Sequence, residues 1–516
     1  MENSRTKNSL INICTGFFGQ FFQLLISFIN RIIFVHCLSQ AYLGINGLFT
    51  NVLSMLSLAE LGIGSAISYA LYAPLAKKDD SKISALMHMY AKAYRIIGII
   101  VGLIGTVFIP FLKYIISDPG NIHENITLIY LLFLFNTVTS YFYSYKCTLI
   151  TADQKNYIIS IISYGVTFVQ TIIQIVILLV SKNFILYLVT QSVGTFLTNY
   201  LISWKANKMY PVLKEKNPPE LSAKDKHNLF KNIKALMITK VSGVLVNSTD
   251  NIIISATKGL GLVSTGLASN YTLLISILNS ILNQIFTGIT ASIGNLNASE
   301  DSRTRKEFFN VVNLLNYLLF SWCAISFIFL STDLVRIVFG NKYVLSMPIV
   351  VIIAVNFYTV GMQSAIWTYK STLGLFDYGK YLILLTGIIN IILSIILGQK
   401  LGLFGIFLAT FISRLCTNIW YDPYAVLKHG LDMSFVEYVK KYLGFIILIL
   451  LQIVCMGLIF TINGSFVFKF ICCVFIPNII NFIVFRNTLE FKYLLNKFCN
   501  LFKKIRNKLQ KVDFIK

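Results

Sequence analysis

The chain has 516 residues, of which 56% are hydrophobic and only 13% charged, and its formal net charge is +23. A soluble fold of this size cannot bury so large an apolar fraction, so the composition excludes an ordinary soluble protein and indicates an integral membrane protein. Nucleic-acid binding is not needed to explain the positive charge, because basic residues that flank membrane helices on the cytoplasmic side produce the same excess.

Apolar runs of about 20 residues predict fourteen transmembrane helices along the chain. In chain order they cover residues 10–35, 43–73, 93–116, 125–150, 157–181, 184–205, 233–257, 262–293, 308–333, 345–372, 379–400, 402–427, 440–462 and 465–486. The chain is therefore expected to be an all-α integral membrane protein.

The basic residues favour one orientation in the membrane. With the N-terminus inside, the longest inward segment, 205–234, contains eight lysines, whereas all the outward connections together contain seven basic residues. Cytoplasmic segments are enriched in lysine and arginine, so both termini are expected in the cytoplasm. The tail alternates apolar and basic residues at helical spacing, which predicts an amphipathic helix on anionic membrane lipids.

Two similar stretches lie 224 residues apart. The first stretch is Tyr145-Lys146-Cys147-Thr148-Leu149, followed by Asp153 and Tyr157. The second is Tyr369-Lys370-Ser371-Thr372-Leu373, followed by Asp377 and Tyr381. A weaker echo aligns Asn30, Gly47 and Leu48 with Asp250, Gly266 and Leu267. The two lysines are expected to extend from cytoplasmic helix ends towards water.

This repeat predicts two pseudo-symmetric six-helix lobes in parallel orientation, plus two further helices. The expected organisation is a first lobe at 1–208, a cytoplasmic linker at 209–232, a second lobe at 233–430, two extra transmembrane helices at 431–487 and a basic tail at 488–516. Membrane chains that repeat at half-length are typical of transporters, whose substrate site lies between the repeats.

Polar residues inside the apolar helices are the candidate lining of that site. On the first helix, Asn30 and Gln23 lie on one face with Arg31 to one side, and on the seventh Lys240, Asn247 and Asn251 fall within about 40° of each other, beside Asp250. Charges at membrane depth are costly and usually functional. The predicted cavity residues are Arg31, Lys240, Asp250, Asn30, Gln23, Asn247, Asn251, Glu60 and Arg414.

Alternatives stay open for the carboxylates and for one arginine. Glu60 and Arg414 fit a structural ion pair as well as a cavity. Glu60 and Asp250 fit a proton or Na⁺ site, or they balance the charges of Arg31 and Lys240.

Several features argue against an enzyme. No outward connection exceeds about 15 residues by the same segmentation, which leaves no room for an extracytoplasmic catalytic domain. The chain lacks the GxxxxGK[ST] nucleotide-binding motif, and its five histidines are scattered. No catalytic residue, metal site or cofactor is therefore expected.

The entry to the second helix and the stretch after it resemble one exporter family. The residues are Tyr42-Leu43-Gly44, Gly47-Leu48, Glu60-Leu61-Gly62-Ile63-Gly64-Ser65-Ala66-Ile67 and Leu71-Tyr72-Ala73-Pro74-Leu75-Ala76. They are similar to the polysaccharide-transporter (oligosaccharide-lipid flippase) family of the multidrug/oligosaccharidyl-lipid/polysaccharide exporter superfamily. That resemblance implies two lobes around a cationic cavity, with the last two helices forming a groove for the lipid tail.

The resemblance further implies a flippase that moves undecaprenyl-diphosphate-linked oligosaccharides to the outer leaflet of a bacterial cell membrane for capsule or O-antigen assembly. Its expected partners are the lipid-linked substrate, anionic lipids and a polysaccharide polymerase with other assembly proteins, and no nucleic acid. The alternatives are a drug/cation antiporter of the same superfamily and a membrane polysaccharide polymerase or ligase.

Overall fold

The computed structural model describes residues 2–497 with several gaps. The gaps are 57–62, 154, 216–218, 224, 228, 231–232, 234–236, 238–248, 376 and 461–463. Within these ranges the chain is helical and contains no β-strand. The predicted residues Glu60, Lys240 and Asn247 lie outside the described residues.

Helices of the first half of the sequence follow one another with short connections. They are α1 (Glu2–Cys37), α2 (Gln40–Leu56), α3 (Ile63–Lys77), α4 (Asp80–Val107), α5 (Leu112–Ile115), α6 (Ile126–Ala152), α7 (Asn156–Val180) and α8 (Phe184–Met209). A 3₁₀ turn, Pro211–Lys214, begins the predicted linker.

The second half continues the same pattern. Its helices are α9 (Asp250–Ala256), α10 (Gly261–Ser299), α11 (Ser302–Phe339), α12 (Met347–Gly361), α13 (Gln363–Thr372), α14 (Lys380–Leu415), α15 (Asn418–Val426), α16 (Phe435–Ile459) and α17 (Phe466–Phe485). Residues 489–497 form a further helical segment.

Polar caps begin many of the long helices. The Asp79 side chain accepts a hydrogen bond from the Lys82 amide at the start of α4, and Asn125 accepts from two amides at the start of α6. Asn183, Asp301 and Ser434 do the same for α8, α11 and α16. These side chains satisfy the free amides of the first turn, so each helix begins where the polar connection ends.

Eleven helical segments among the described residues are long and apolar enough to cross a membrane. One of them, Tyr381–Leu431, has 51 residues, about 77 Å at the helical rise and more than twice the hydrocarbon thickness. Gly402 breaks it with φ 61° and ψ −141°, a conformation that glycine adopts without a Cβ clash. The segment therefore holds two of the predicted helices, and the protein is an all-α, multi-pass membrane protein.

The chain forms two compact units. The first comprises Met1–Ser269 with Gly387–Ile406, and the second comprises Asn270–Thr386 with Phe407–Lys516. In the first unit the main helix pairs are α1 with α7, α6 with α8 and α4 with α6. In the second, α11 packs on α12 and α17 around a large apolar core. The predicted lobe boundaries differ from this division at 209–269 and 387–406, and they stay a prediction.

Candidate functional site

Arg31 lies where the first helix meets a helix of the second half of the sequence. Its guanidinium donates a hydrogen bond to the Ser269 hydroxyl of α10, inside the first unit. The neighbouring Asn30 instead donates to the Tyr187 hydroxyl of α8, at 3.0 Å. The adjacent side chains therefore have different surroundings: Asn30 holds two helices of the first half together, and Arg31 reaches the second half.

Glycines allow α2 and α10 to approach closely near Arg31. A Cβ on Gly44 would overlap the Leu262 carbonyl oxygen, and one on Gly266 would overlap the Gln40 carbonyl oxygen. Small residues let membrane helices pack backbone against backbone. The Gly266 of the weaker repeat thus forms part of a tight contact between the two sequence halves.

Asp250 is the first residue of α9, and Thr249 before it is buried. The Thr249 hydroxyl donates to the Asn390 side chain of α14 at 3.4 Å, within the first unit. Asn251 faces α2, with its amide nitrogen 3.4 Å from where a Cβ on Gly47 would lie. A carboxylate in a first turn is stabilised by the helix dipole.

The remaining predicted cavity residues do not all join this region. Gln23 is exposed on α1. Arg414, on the last turns of α14, is partly buried and belongs to the second unit. The described residues therefore bring Arg31, Asp250 and Asn251 into the first unit with Asn30.

The repeat motif places its tyrosine in the same way in each half. Tyr145 packs against Tyr90 of α4 with ring centroids 6.2 Å apart, and Tyr369 packs against Phe309 of α11 at 5.1 Å. These are the third and fourth predicted membrane helices of each half. The repeat in sequence is thus also a repeat in packing.

The two repeat lysines, by contrast, differ in their partners. Lys370 is only 9% exposed, and its ammonium lies 2.7 Å from the Asp422 carboxylate of α15, which also accepts a hydrogen bond from Trp367 at 3.2 Å. The expectation that Lys370 extends towards water is wrong, because a buried carboxylate pairs with it. Lys146 contacts a neutral group instead: it donates to the buried Ser203 hydroxyl of α8 at 2.9 Å.

Asp153, the repeat carboxylate of the first half, anchors the start of the linker. It accepts a hydrogen bond from the Tyr210 hydroxyl at 2.6 Å and pairs with Lys155 at 2.6 Å. Burial, and then the neighbouring carboxylate, raise the pKa of Tyr210 above its usual value, so this phenol stays protonated and remains a donor.

Sequence reasoning missed Asp422, Ser269 and Ser203. A carboxylate inside the predicted helix 402–427 was the available signal for Asp422. The two serines gave none, because serine is common at helix contacts. Among the described residues no group of three or more His, Cys, Asp or Glu side chains could hold a metal ion.

Comparisons with known proteins give matches at the level of structure alone. No protein-family model matches the chain, and no curated protein matches its sequence. The lipid II flippase MurJ in an inward closed conformation superposes with a TM-score of 0.65 at 16% identity, over 91% of this chain and 98% of that one.

A multidrug resistance MATE family transporter of the MOP superfamily, in an inward-facing conformation, gives a TM-score of 0.58 at 12% identity, over 80% of this chain and 95% of that one. A MATE protein in complex with MaD3S gives 0.54 at 11% identity, over 83% and 97%. At these identities the likeness concerns the fold. The chain has the all-α membrane fold of the MurJ flippase and the MATE transporters of the MOP exporter superfamily.

Proposed function

We propose that the protein is a flippase that moves undecaprenyl-diphosphate-linked oligosaccharide repeat units from the cytoplasmic to the outer leaflet by alternating access. The observation that carries this proposal is the position of Arg31. This cation lies on the membrane helix α1, and its hydrogen bond to Ser269 links α1 to α10. Helices of the two sequence halves meet there, which is where transporters built from repeats bind their substrates.

The chemistry of the substrate fits such a cation. A diphosphate brings about two negative charges, and a cationic side chain offsets the cost of moving them through a medium of low dielectric constant. Arginine matches phosphate oxygens with two parallel hydrogen bonds. Amides such as Asn251 supply donors and acceptors for sugar hydroxyls.

A groove in the second unit is a candidate for the lipid tail. It lies between α11, α16 and α17, has a volume of about 430 Å³ and is lined largely by apolar side chains such as Phe445, Leu451 and Phe485. Lys441 stands at one end, 3.1 Å from the Asn310 side chain. The groove supports a lipid substrate over a small soluble one.

A drug/cation antiporter is the second candidate, favoured by Asp250 and by the likeness to MATE transporters. A polysaccharide polymerase or ligase, the third alternative from the sequence, has no such support from the described residues.

We further propose that the protein lies in a bacterial cell membrane with both termini in the cytoplasm. It carries out no covalent chemistry of its own and cooperates with a polysaccharide polymerase.

Deletion of the gene in its own host separates the two leading candidates. A flippase predicts loss of a surface glycan and accumulation of its lipid-linked repeat unit, with both reversed by a plasmid copy. An antiporter predicts normal glycan and slower efflux of a cationic dye such as ethidium. Normal glycan and normal lipid-linked intermediates in the deletion strain would contradict the proposal.

A further inference from the structure

The first unit carries a group of cations on α4 and α6 that we call the cationic cluster: Lys92, Arg95 and Lys146. Lys92 and Arg95 are exposed, and Lys146 is partly buried. Arg95 and Lys146 stand on two helices, α4 and α6, that pack against each other. Among the described residues no carboxylate lies within ion-pair distance of any of the three.

The helix contacts fix the level of this cluster. Gly98 of α4 lies against Tyr141 of α6, and Gly102 lies against Val138, so the helices run antiparallel and Arg95 stands at the level of Lys146. The next 17 residues, 96–112, are uncharged, and the part within α4, 96–107, spans about 18 Å at the helical rise, more than half of the hydrocarbon thickness of about 30 Å. The cluster therefore lies at one edge of the apolar layer.

An exposed apolar stripe continues from the cluster into that layer. On α4 it consists of Ile99 and Leu103, four and eight residues after Arg95, and on α6 of Phe142 and Phe135, which lie before Lys146 on the same side of the helix. Cations at the end of such a stripe have the layout of a lipid site, with the headgroup at the edge and the chain along the helices.

The repeat supplies the internal comparison. Lys370, at the same repeat position, is neutralised by Asp422 on the sixth predicted helix of its half, whereas Lys146 meets Ser203 on the sixth predicted helix of the first half. Within the described part of the chain no carboxylate pairs with the partly buried Lys146 ammonium, which is costly, and an anion from outside the chain would offset that cost. A lysine that serves only to set topology would not need to be partly buried, as Lys146 is.

We propose that the cationic cluster binds the diphosphate of the lipid-linked substrate before translocation, at a site separate from Arg31. This inference rests on the proposed function and names a second substrate contact. Three positive charges match a diphosphate, which carries about two negative charges, better than the single charge of a phosphatidylglycerol headgroup.

The test uses the full chain, purified in detergent micelles and titrated with undecaprenyl diphosphate under native mass spectrometry. Arg95→Gln and Lys146→Met are each expected to weaken binding about ten-fold, because each removes a charge-assisted contact. Ser203→Asp gives Lys146 a carboxylate partner, as Asp422 does for Lys370 in the second half, and is expected to weaken the binding of undecaprenyl diphosphate as well. Lys113→Met, a lysine outside the cluster, is the matched control and should bind like wild type.

Each outcome bears on one proposal. Wild-type affinity for undecaprenyl diphosphate in both Arg95→Gln and Lys146→Met overturns the proposed role of the cationic cluster and leaves the flippase proposal standing. If Lys146→Met and Ser203→Asp misfold, the affinity of Arg95→Gln decides, because Arg95 is exposed. Equal competition by phosphatidylglycerol overturns the assignment to a diphosphate. No binding of undecaprenyl diphosphate by the wild type would count against the flippase proposal itself.

Discussion

The pair Lys370 and Asp422 is expected to be the more stabilising of the two repeat contacts. Lys370→Met leaves a buried carboxylate without its cation, which costs about 3–5 kcal/mol. Lys146→Met leaves only a serine hydroxyl, so its cost should be smaller. We expect a markedly larger fall in melting temperature for Lys370→Met, measured by fluorescence-detected size exclusion after heating.

The combined Lys370→Met and Asp422→Leu variant should recover most of the lost stability, because it removes both buried charges. A melting temperature for Lys370→Met equal to that of Lys146→Met would mean that the pair contributes little.

Arg31→Ala is expected to abolish glycan export while the protein level stays normal. The reason is that Arg31 lies where the two sequence halves meet. It makes a hydrogen bond to the Ser269 hydroxyl there and is not part of an apolar core. Asn30→Ala, one residue away, removes a neutral hydrogen bond to Tyr187 inside the first half and should reduce export less than Arg31→Ala does. Surface glycan in cells with each variant as the sole copy gives the comparison.

Normal glycan with Arg31→Ala would remove this residue from the substrate path. The same expectation applies to Lys240→Ala from the sequence, although Lys240 lies outside the described residues.

At the level of elements, the contact of α2 with α10 is expected to act as a gate. Gly44→Leu and Gly266→Leu place a side chain where backbone carbonyls now lie, so the helices must separate. We expect transport to be lost and cysteines introduced near Gly44 to react faster with a membrane-impermeant maleimide. Gly165→Leu on α7 is the matched control, because nothing lies within 4 Å of a Cβ there.

Unchanged labelling in both glycine variants, with normal transport, would show that this contact tolerates separation and is no gate.

The C-terminal tail divides into a packed part and a part outside the described residues. Phe491 is 9% exposed in the apolar core of the second unit, and Leu494 packs against that core. Deleting 498–516 should weaken transport without abolishing it, since other lysines that the sequence predicts to be cytoplasmic are also expected to contact anionic lipid. Deleting 489–516 should in addition lower the melting temperature. Phe491→Ala should lower it too, because the substitution costs about 3–5 kcal/mol of unfolding free energy.

Complete loss of transport in the 498–516 deletion, with normal membrane insertion, would instead make the tail part of the mechanism.

For the whole molecule, the sequence predicts that Arg31 and Asp250 pair when the outer gate is closed. Two opposite charges 4 Å apart attract by about 4 kcal/mol at an effective dielectric constant near 20, before the cost of desolvation. A net 1–2 kcal/mol, as an order-of-magnitude estimate, would still shift a two-state equilibrium severalfold. Asp250→Asn should therefore favour the outward-open state and raise the labelling, from outside, of cysteines introduced near Arg31 and Asp250.

The exchange Arg31→Asp with Asp250→Arg should restore part of the closed population. If Asp250→Asn leaves outside labelling unchanged, Asp250 is better explained as a coupling-ion ligand or a structural partner.

The sequence by itself determined the fold class and the repeat. Membrane helices must be long, apolar and internally hydrogen-bonded, so the all-α class follows from the composition and the approximate helix positions follow from the apolar runs. The packing of Tyr145 on α4 and of Tyr369 on α11 likewise agrees with the repeat found in the amino-acid sequence.

Only the tertiary structure decided the partners of the charged and polar side chains. Ser269 lies 238 residues from Arg31, and Asp422 lies 52 residues from Lys370. Helical periodicity assigns a residue to a face of its own helix, but it does not say which other helix packs there. The same repeat lysine is therefore neutralised in one half and left beside a hydroxyl in the other, a difference set by the residue on the neighbouring helix.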